Sequence, residues 1–311
     1  MARRPPSRPS EFVGTSPDER ILAWVCDALG REVRVAATIP LTGGLSEAMF
    51  RLELTGADVA AVVLRRWPHD GDWERDSVRR EATALGLLAG SGVGAPELIA
   101  SDPAGESTGR PANLMTHLPG AGELDPADVA RWTGDLADRL ALVHDQPRDP
   151  RQQTSPKWVD LDDGDRRAWL AGLPYGEEAL SLAGSVGAPV REVFGHGDYQ
   201  HFNLLWSRGR LTGVVDWTMS GVADAGRDVG HCALNLAVLY GPSRAWRFLE
   251  RYEAITGTRV DRGWLISELL EFSPAWPEFI PRQVGGRTPV DGAGMRGRVE
   301  ELISRVLRSA G

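Results

Sequence analysis

The chain carries His196-Gly197-Asp198-Tyr199-Gln200-His201-Phe202-Asn203 and, after two short apolar runs, Val214-Val215-Asp216-Trp217. An Asp, an Asn five residues on, and a second Asp closing an apolar strand are the groups that phosphoryl transfer needs. A hydroxyl that attacks phosphorus must give up a proton, and Asp198 is the candidate acceptor. A triphosphate is handled with Mg²⁺, a hard cation that takes oxygen ligands, and here Asn203 offers an amide oxygen and Asp216 a carboxylate. Leu204-Leu205-Trp206 and Leu211-Thr212-Gly213-Val214-Val215 read as strands joined by a turn at Ser207-Arg208-Gly209-Arg210, a hairpin that would bring Asn203 and Asp216 back to one end. A competing reading, a metal centre built from His196, His201, His231 and Cys232, fits no standard zinc spacing.

The segment HGDYQHFNLLW…GVVDW resembles the aminoglycoside phosphotransferase family, small-molecule kinases with a protein-kinase-like fold. Asp224 and Arg227-Asp228-Val229-Gly230 extend the likeness to the family's GDPxxDLA element, with Ala223 and Ala225 where Gly and Pro are usual. The resemblance implies that Asp228 is a structural residue bracing the catalytic loop that begins at His196. Trp217 stands where protein kinases have the Phe of DFG, as is usual in the small-molecule branch. The implied fold is α+β and bilobal. A nucleotide-binding lobe over 1–118, a five-stranded antiparallel sheet plus a helix, follows a flexible tail at 1–14. A larger, mostly helical lobe over 119–311 carries catalysis and acceptor binding.

Composition narrows the field. With 35 basic and 43 acidic residues the net charge is -8 and no basic stripe appears, so a nucleic-acid partner is not expected. No apolar run reaches the ~18–20 residues of a membrane span. The basic, Pro-rich start leads into no apolar core of a signal peptide, and two cysteines, Cys26 and Cys232, imply no disulfide framework; the expected compartment is the cytoplasm. Lys157 is the single lysine and lies in no Gly-rich loop, which excludes the P-loop class.

Along the chain, Ser16-Pro17-Asp18-Glu19 predicts a helix start capped by Ser16, the helix running from Arg20 to Leu29 and ending at Gly30. Strands are expected at Val33–Ile39, Ala48–Leu54, Ala60–Arg65, Glu97–Ala100 and Ala112–His117. Thr42-Gly43-Gly44-Leu45-Ser46 reads as a hairpin turn; by the resemblance it covers the triphosphate, making Gly44 and Ser46 nucleotide-binding. Arg65 aligns with the family's basic strand residue, with Arg66 as its rival, and its expected partner is Glu81 in a helix from Trp73 to Ala89. Met115 to His117 looks like the hinge where adenine would meet the backbone. Helices follow at Asp125–His144, Asp163–Leu170, Glu177–Ala183, Val229–Tyr240, Ser243–Thr256, Arg262–Phe272 and Met295–Ser309, with a strand at Glu192–Phe194.

The family's acceptor pocket lies among the late helices, where this chain has Glu268, Glu271, Glu278, Trp264 and Trp276. Acids with aromatics suit a cationic or sugar-like ligand, and equally a solvated face over a Trp-bearing core. The expected activity is an ATP- or GTP-dependent O-phosphotransferase with Mg²⁺, acting on a hydroxyl of an antibiotic or related natural product, or of a metabolite such as choline, homoserine or a sugar. Missing DFG and APE segments disfavour a protein kinase. Retention of Asp198, Asn203 and Asp216 disfavours a binding-only pseudokinase.

Overall fold

The computed structural model of the chain describes residues 16–30, 32–41, 47–149 and 152–310. The chain forms two compact units, residues 1–119 with 213–218, and residues 120–212 with 219–311. The sequence placed 213–218 with the C-terminal lobe. They pack with the first unit because Val214 N donates to Gly94 O (3.1 Å), Arg80 Nε donates to Thr218 O (2.9 Å) and Arg65 pairs with Asp216.

The first unit opens with α1 (Glu19–Leu29), followed by β1 (Arg34–Pro40), β2 (Ala48–Thr55) and β3 (Ala61–Arg66). Then come α2 (Asp72–Leu88), β4 (Leu98–Asp102) and β5 (Ala112–Thr116). Asp18, not Ser16, caps α1: its carboxylate accepts from Ile21 N at 3.0 Å. The strands make one antiparallel sheet in the order β1-β2-β3-β5-β4. Side chains alternate across a strand, so one set, Phe50, Leu52, Val62, Leu64 and Leu114, buries against Ile21 and Val25 of α1. The alternate set on β3 includes Arg65, which sits opposite Asn113 of β5 in the register. That pairing places both polar residues beside α2.

The second unit contains α3 (Val129–His144), α4 (Gly164–Ala171), α5 (Gly176–Gly184), β6 (Glu192–Gly195) and β7 (Leu204–Ser207). β8 (Arg210–Val214) pairs with β7 and leads the chain back to the first unit. Arg208 (φ 51°) and Gly209 (φ 69°) make the tight turn between them with two positive φ angles, as a two-residue hairpin loop requires. After β9 (Gly221–Asp224) come α6 (Ala225–Tyr240), α7 (Pro242–Thr256), α8 (Arg262–Leu269), α9 (Trp276–Val284) and α10 (Met295–Ala310). α6 is buried on nearly every side and packs against α7, α8 and α10, and it buries polar residues, Arg227, Asp228, His231 and Asn235, along with its apolar ones. It begins at Ala225, a turn earlier than expected, because Asp224 caps it and accepts from Gly226 N at 2.7 Å. The α3 cap is Asp128, and the segment from Asp125 precedes the helix. β9 pairs antiparallel with β6; neither it nor α9 was among the elements expected from the sequence. Among the described residues no helix is long and apolar enough to cross a membrane.

Candidate active site

The segment from β6 to β7 holds Asp198, and three features shape it. Gly197 has φ 77°, and a Cβ there would meet Met219 O at 2.1 Å, so only glycine fits. Asp228, in the first turn of α6, accepts from His196 N (2.7 Å) and Gly197 N (2.8 Å). His144, at the end of α3, places Nε2 3.0 Å from Asp228 and Nδ1 2.6 Å from the Tyr252 hydroxyl of α7. Burial alone would raise the Asp228 pKa; His144, His196 and the backbone donors outweigh it and hold the group down at about 2. Asp228 is thus a fixed anion, and His196, wholly buried, is locked through its backbone and through Nδ1, which accepts from Asp198 N at 3.2 Å.

Asp198 is oriented by its neighbours. Asn203 Nδ2 donates to both the Asp198 backbone oxygen (2.9 Å) and Oδ2 (3.0 Å). With the nitrogen committed to Asp198, the amide oxygen is the atom Asn203 has for a cation. Gln200 Nε2 donates to Oδ1 at 2.6 Å, and His231 Nε2 of α6 lies 2.9 Å from the same oxygen. The Asp198 side chain is 14% exposed, enough for a hydroxyl to approach.

Two acceptor candidates are placed differently from expectation. Glu268 is buried in an ion pair with Arg227 (3.0 Å), whose other nitrogens donate to Ser155 O and Pro156 O, so it braces the fold. Burial, with Glu271 beside it, raises Glu268 to about 7 against the pull of Arg227. Glu271 is buried too, 3.4 Å from His231 Nδ1. Trp276 starts α9 and packs against Phe272 at 5.7 Å. The proposed group of His196, His201, His231 and Cys232 does not converge; among the described residues the group with ligand-like spacing is His231, Glu268 and Glu271, within 4.8 Å. Arg227 on Glu268 and Asp198 on His231 already occupy its donors.

In the first unit Arg65 is the centre. Its Nη1 donates to Glu81 Oε1 at 2.6 Å, and its Nη2 lies 2.9 Å from Asp216 Oδ1 and 3.8 Å from Glu47. Asn113 Nδ2 donates to the other Glu81 oxygen at 2.9 Å, so the carboxylate is fixed from both sides. Burial would lower the Arg65 pKa; Asp216, Glu81 and Glu47 together push it up, and it stays a cation. Burial raises Glu47 to about 7, with Asp216 and Glu81 adding to that and Arg65 opposing it. Arg66 points to the other side of β3, where burial lowers it and Asp18 is the nearest acidic influence. Met115 is inside β5 with a buried side chain, and His117 lies just past its end, half-buried. Gly44 and Ser46 lie outside the described residues.

The model of the phosphotransferase enzyme family, known as APH, matches residues 38–264. The chain belongs to this family. One relative of this phosphotransferase family member, aminoglycoside 3'-phosphotransferase of Streptomyces fradiae, is 36% identical over 140 residues, 42% of this chain. That match spans 47% of the relative's length. Among solved structures, an aminoglycoside-3'-phosphotransferase of type VIII has TM-score 0.58 at 18% identity, covering 82% of this chain and 99% of that one. A thermostable mutant of an aminoglycoside phosphotransferase, in ternary complex with ADP and hygromycin B, has TM-score 0.57 at 14% identity, covering 94% and 99%. These similarities show the α+β fold that the phosphotransferase family shares.

Sequence reasoning missed the histidine partners of Asp198 and Asp228, His231 and His144. His144 follows an apolar helical run, a pattern shared by any buried histidine. His231 appeared only as a possible metal ligand. Trp158 had no signal at all, yet its indole Nε1 donates to Gly197 O at 3.0 Å and its ring stacks on His231.

Proposed function

We propose that the chain is a nucleoside-triphosphate-dependent O-phosphotransferase that phosphorylates a hydroxyl of a small molecule, an antibiotic of the aminoglycoside kind. The observation that carries this reading is the environment of Asp198: a largely buried carboxylate, still partly exposed, with each oxygen held by a named donor, in a family member. In this reading the acceptor hydroxyl gives its proton to Asp198 as its oxygen bonds to phosphorus. The bond to the departing nucleoside diphosphate breaks, and that oxygen leaves with the electron pair. Little covalent work falls to the protein, so positioning and charge carry the catalysis.

Arg65, fixed by Glu81, is the phosphate-gripping residue of this reading, with Gly44, Ser46, Met115 and His117 as further nucleotide contacts. Asn203 and Asp216 each present the oxygen donors that Mg²⁺ prefers, and these are the residues that would hold it. Bound there, the ion would neutralise phosphate charge. ATP or GTP is the co-substrate, and a cytoplasmic protein would find both at hand. Glu271 and Trp276 remain the acceptor-side residues; Glu268 is withdrawn because Arg227 occupies it.

The test is a nucleoside-diphosphate-release assay with Mg²⁺ and ATP or GTP across aminoglycosides, other antibiotics and hydroxylated metabolites. Release stimulated by an aminoglycoside and lost in Asp198→Asn supports the proposal. Stimulation confined to metabolites would sink the antibiotic assignment, and hydrolysis indifferent to every acceptor would sink the transferase one.

A further inference from the structure

His231 belongs to no motif that the phosphotransfer reading uses. It projects from α6 between two carboxylates on different elements: Asp198 on the catalytic loop at 2.9 Å from Nε2, and Glu271, just after α8, at 3.4 Å from Nδ1. Its ring is buried, and the Trp158 indole covers one face at 6.5 Å and 22°. Each ring nitrogen faces one carboxylate oxygen, and an ionised carboxylate can only accept. An ionic contact to two anions requires both ring nitrogens protonated. The remaining charged neighbours agree: Glu268 lies in the same cluster, its charge answered by Arg227.

We propose that His231 is a positioning residue for the phosphotransfer base, an imidazolium bridging Asp198 to Glu271 that holds the Asp198 carboxylate turned to the incoming hydroxyl. The proposal rests on the reading of Asp198 as that base. Two consequences follow from the geometry. A doubly protonated ring has no lone pair to accept with, so the proton taken from the acceptor goes to Asp198 and not to the ring. Glu271, assigned above to the acceptor side, acts also through His231 on the chemistry itself. Burial would lower the His231 pKa, and Asp198 and Glu271 reverse that, holding it up at about 10.

The direct test is histidine-selective ¹⁵N NMR of the full chain, which has six histidines, with His231→Gln to assign the signal. A doubly protonated His231 ring at neutral pH is expected, its midpoint dropping in both Asp198→Asn and the isosteric Glu271→Gln. A neutral ring, or a midpoint unmoved in both variants, overturns the bridge. Kinetics then test positioning. In folded His231→Gln, kcat should fall at least about tenfold at unchanged nucleotide KM, by analogy with general-base losses. His231→Lys, which keeps a cation there, should recover part of it, and a Glu271→Gln enzyme should lose kcat in the same sense. An unaltered kcat in folded His231→Gln and Glu271→Gln overturns the role. Should the wild-type chain transfer no phosphate while the NMR signature is intact, the phosphotransfer reading fails and the ion bridge stands.

Discussion

The Arg65 guanidinium lies 2.9 Å from the Asp216 carboxylate while its other arm holds Glu81 at 2.6 Å. One cation therefore ties β3, α2 and the 213–218 segment together within the first unit. Arg65 is 3% exposed and Glu81 1%, whereas Asp216 is 29% exposed, so the network is dry at one end and wet at the other. Asp216 has φ 69°, an uncommon angle for a residue with a side chain. Such strain is tolerated where surroundings over-determine it, and here Arg65 and the Thr218 hydroxyl (2.9 Å) both hold the carboxylate.

Removing the cation should be costly. Arg65→Ala strands Glu81 in the interior without a counter-charge, a loss of about 3–5 kcal/mol for a broken buried pair. Arg65→Lys keeps the charge but cannot fork between two carboxylates, so its loss should be smaller. Thermal unfolding ranks the three proteins, and nucleotide KM should rise in the same order. An Arg65→Ala protein as stable as wild type would refute the network.

The two acids of the opening motif should separate by phenotype. Asp198→Asn should retain nucleotide binding while turnover falls by roughly 10²–10⁴, the range of general-base catalysis. Asp216→Asn should instead weaken nucleotide binding, and only with Mg²⁺ present. Calorimetric titration with and without Mg²⁺ checks both. Loss of binding in a folded Asp198→Asn would remove it from the base role.

Gly197→Ala adds no charge and deletes no chemical group. Its Cβ would meet a backbone oxygen at 2.1 Å in a conformation with φ 77°, so the loop must shift. Turnover should collapse and stability should drop by more than about 1 kcal/mol. A Gly197→Ala enzyme with normal kcat would show that the loop is not locked as described.

Asp228 links the catalytic loop to acid stability. Its folded pKa, about 2, lies below the ordinary 3.8, so its contribution is complete above about pH 4 and is lost as pH falls towards 2. At one pH unit per 1.36 kcal/mol the contribution is roughly 2 kcal/mol. Asp228→Asn should unfold at lower denaturant at neutral pH and show a shallower loss of stability between about pH 4 and 2. Identical acid profiles for the two proteins would contradict the assignment.

The geometry of the loop that holds Asp198 was legible because its constraints are local. Asn203 reaches Asp198 five residues away through one short turn, and Gly197 lies beside it, so spacing alone predicts the arrangement. The five strands were legible for a similar reason, strand alternation, whereas the Arg65–Glu81 pair was expected from the family resemblance. Caps moved where a later Asp took the place of the expected residue, at Asp18 in place of Ser16 and at Asp128 in place of Asp125. The side of the chain to which 213–218 belongs was not legible, since it depends on hydrogen bonds to Gly94 and Arg80 far away in sequence.

By itself the sequence determined the candidate reacting groups and their order, because short-range geometry fixes what lies within a loop or along one strand. Only the tertiary structure decided which charges face one another across elements. It set His231 between Asp198 and Glu271 and withdrew Glu268 to Arg227, because α6 and α8 pack side by side and the buried charges in that seam must be paired.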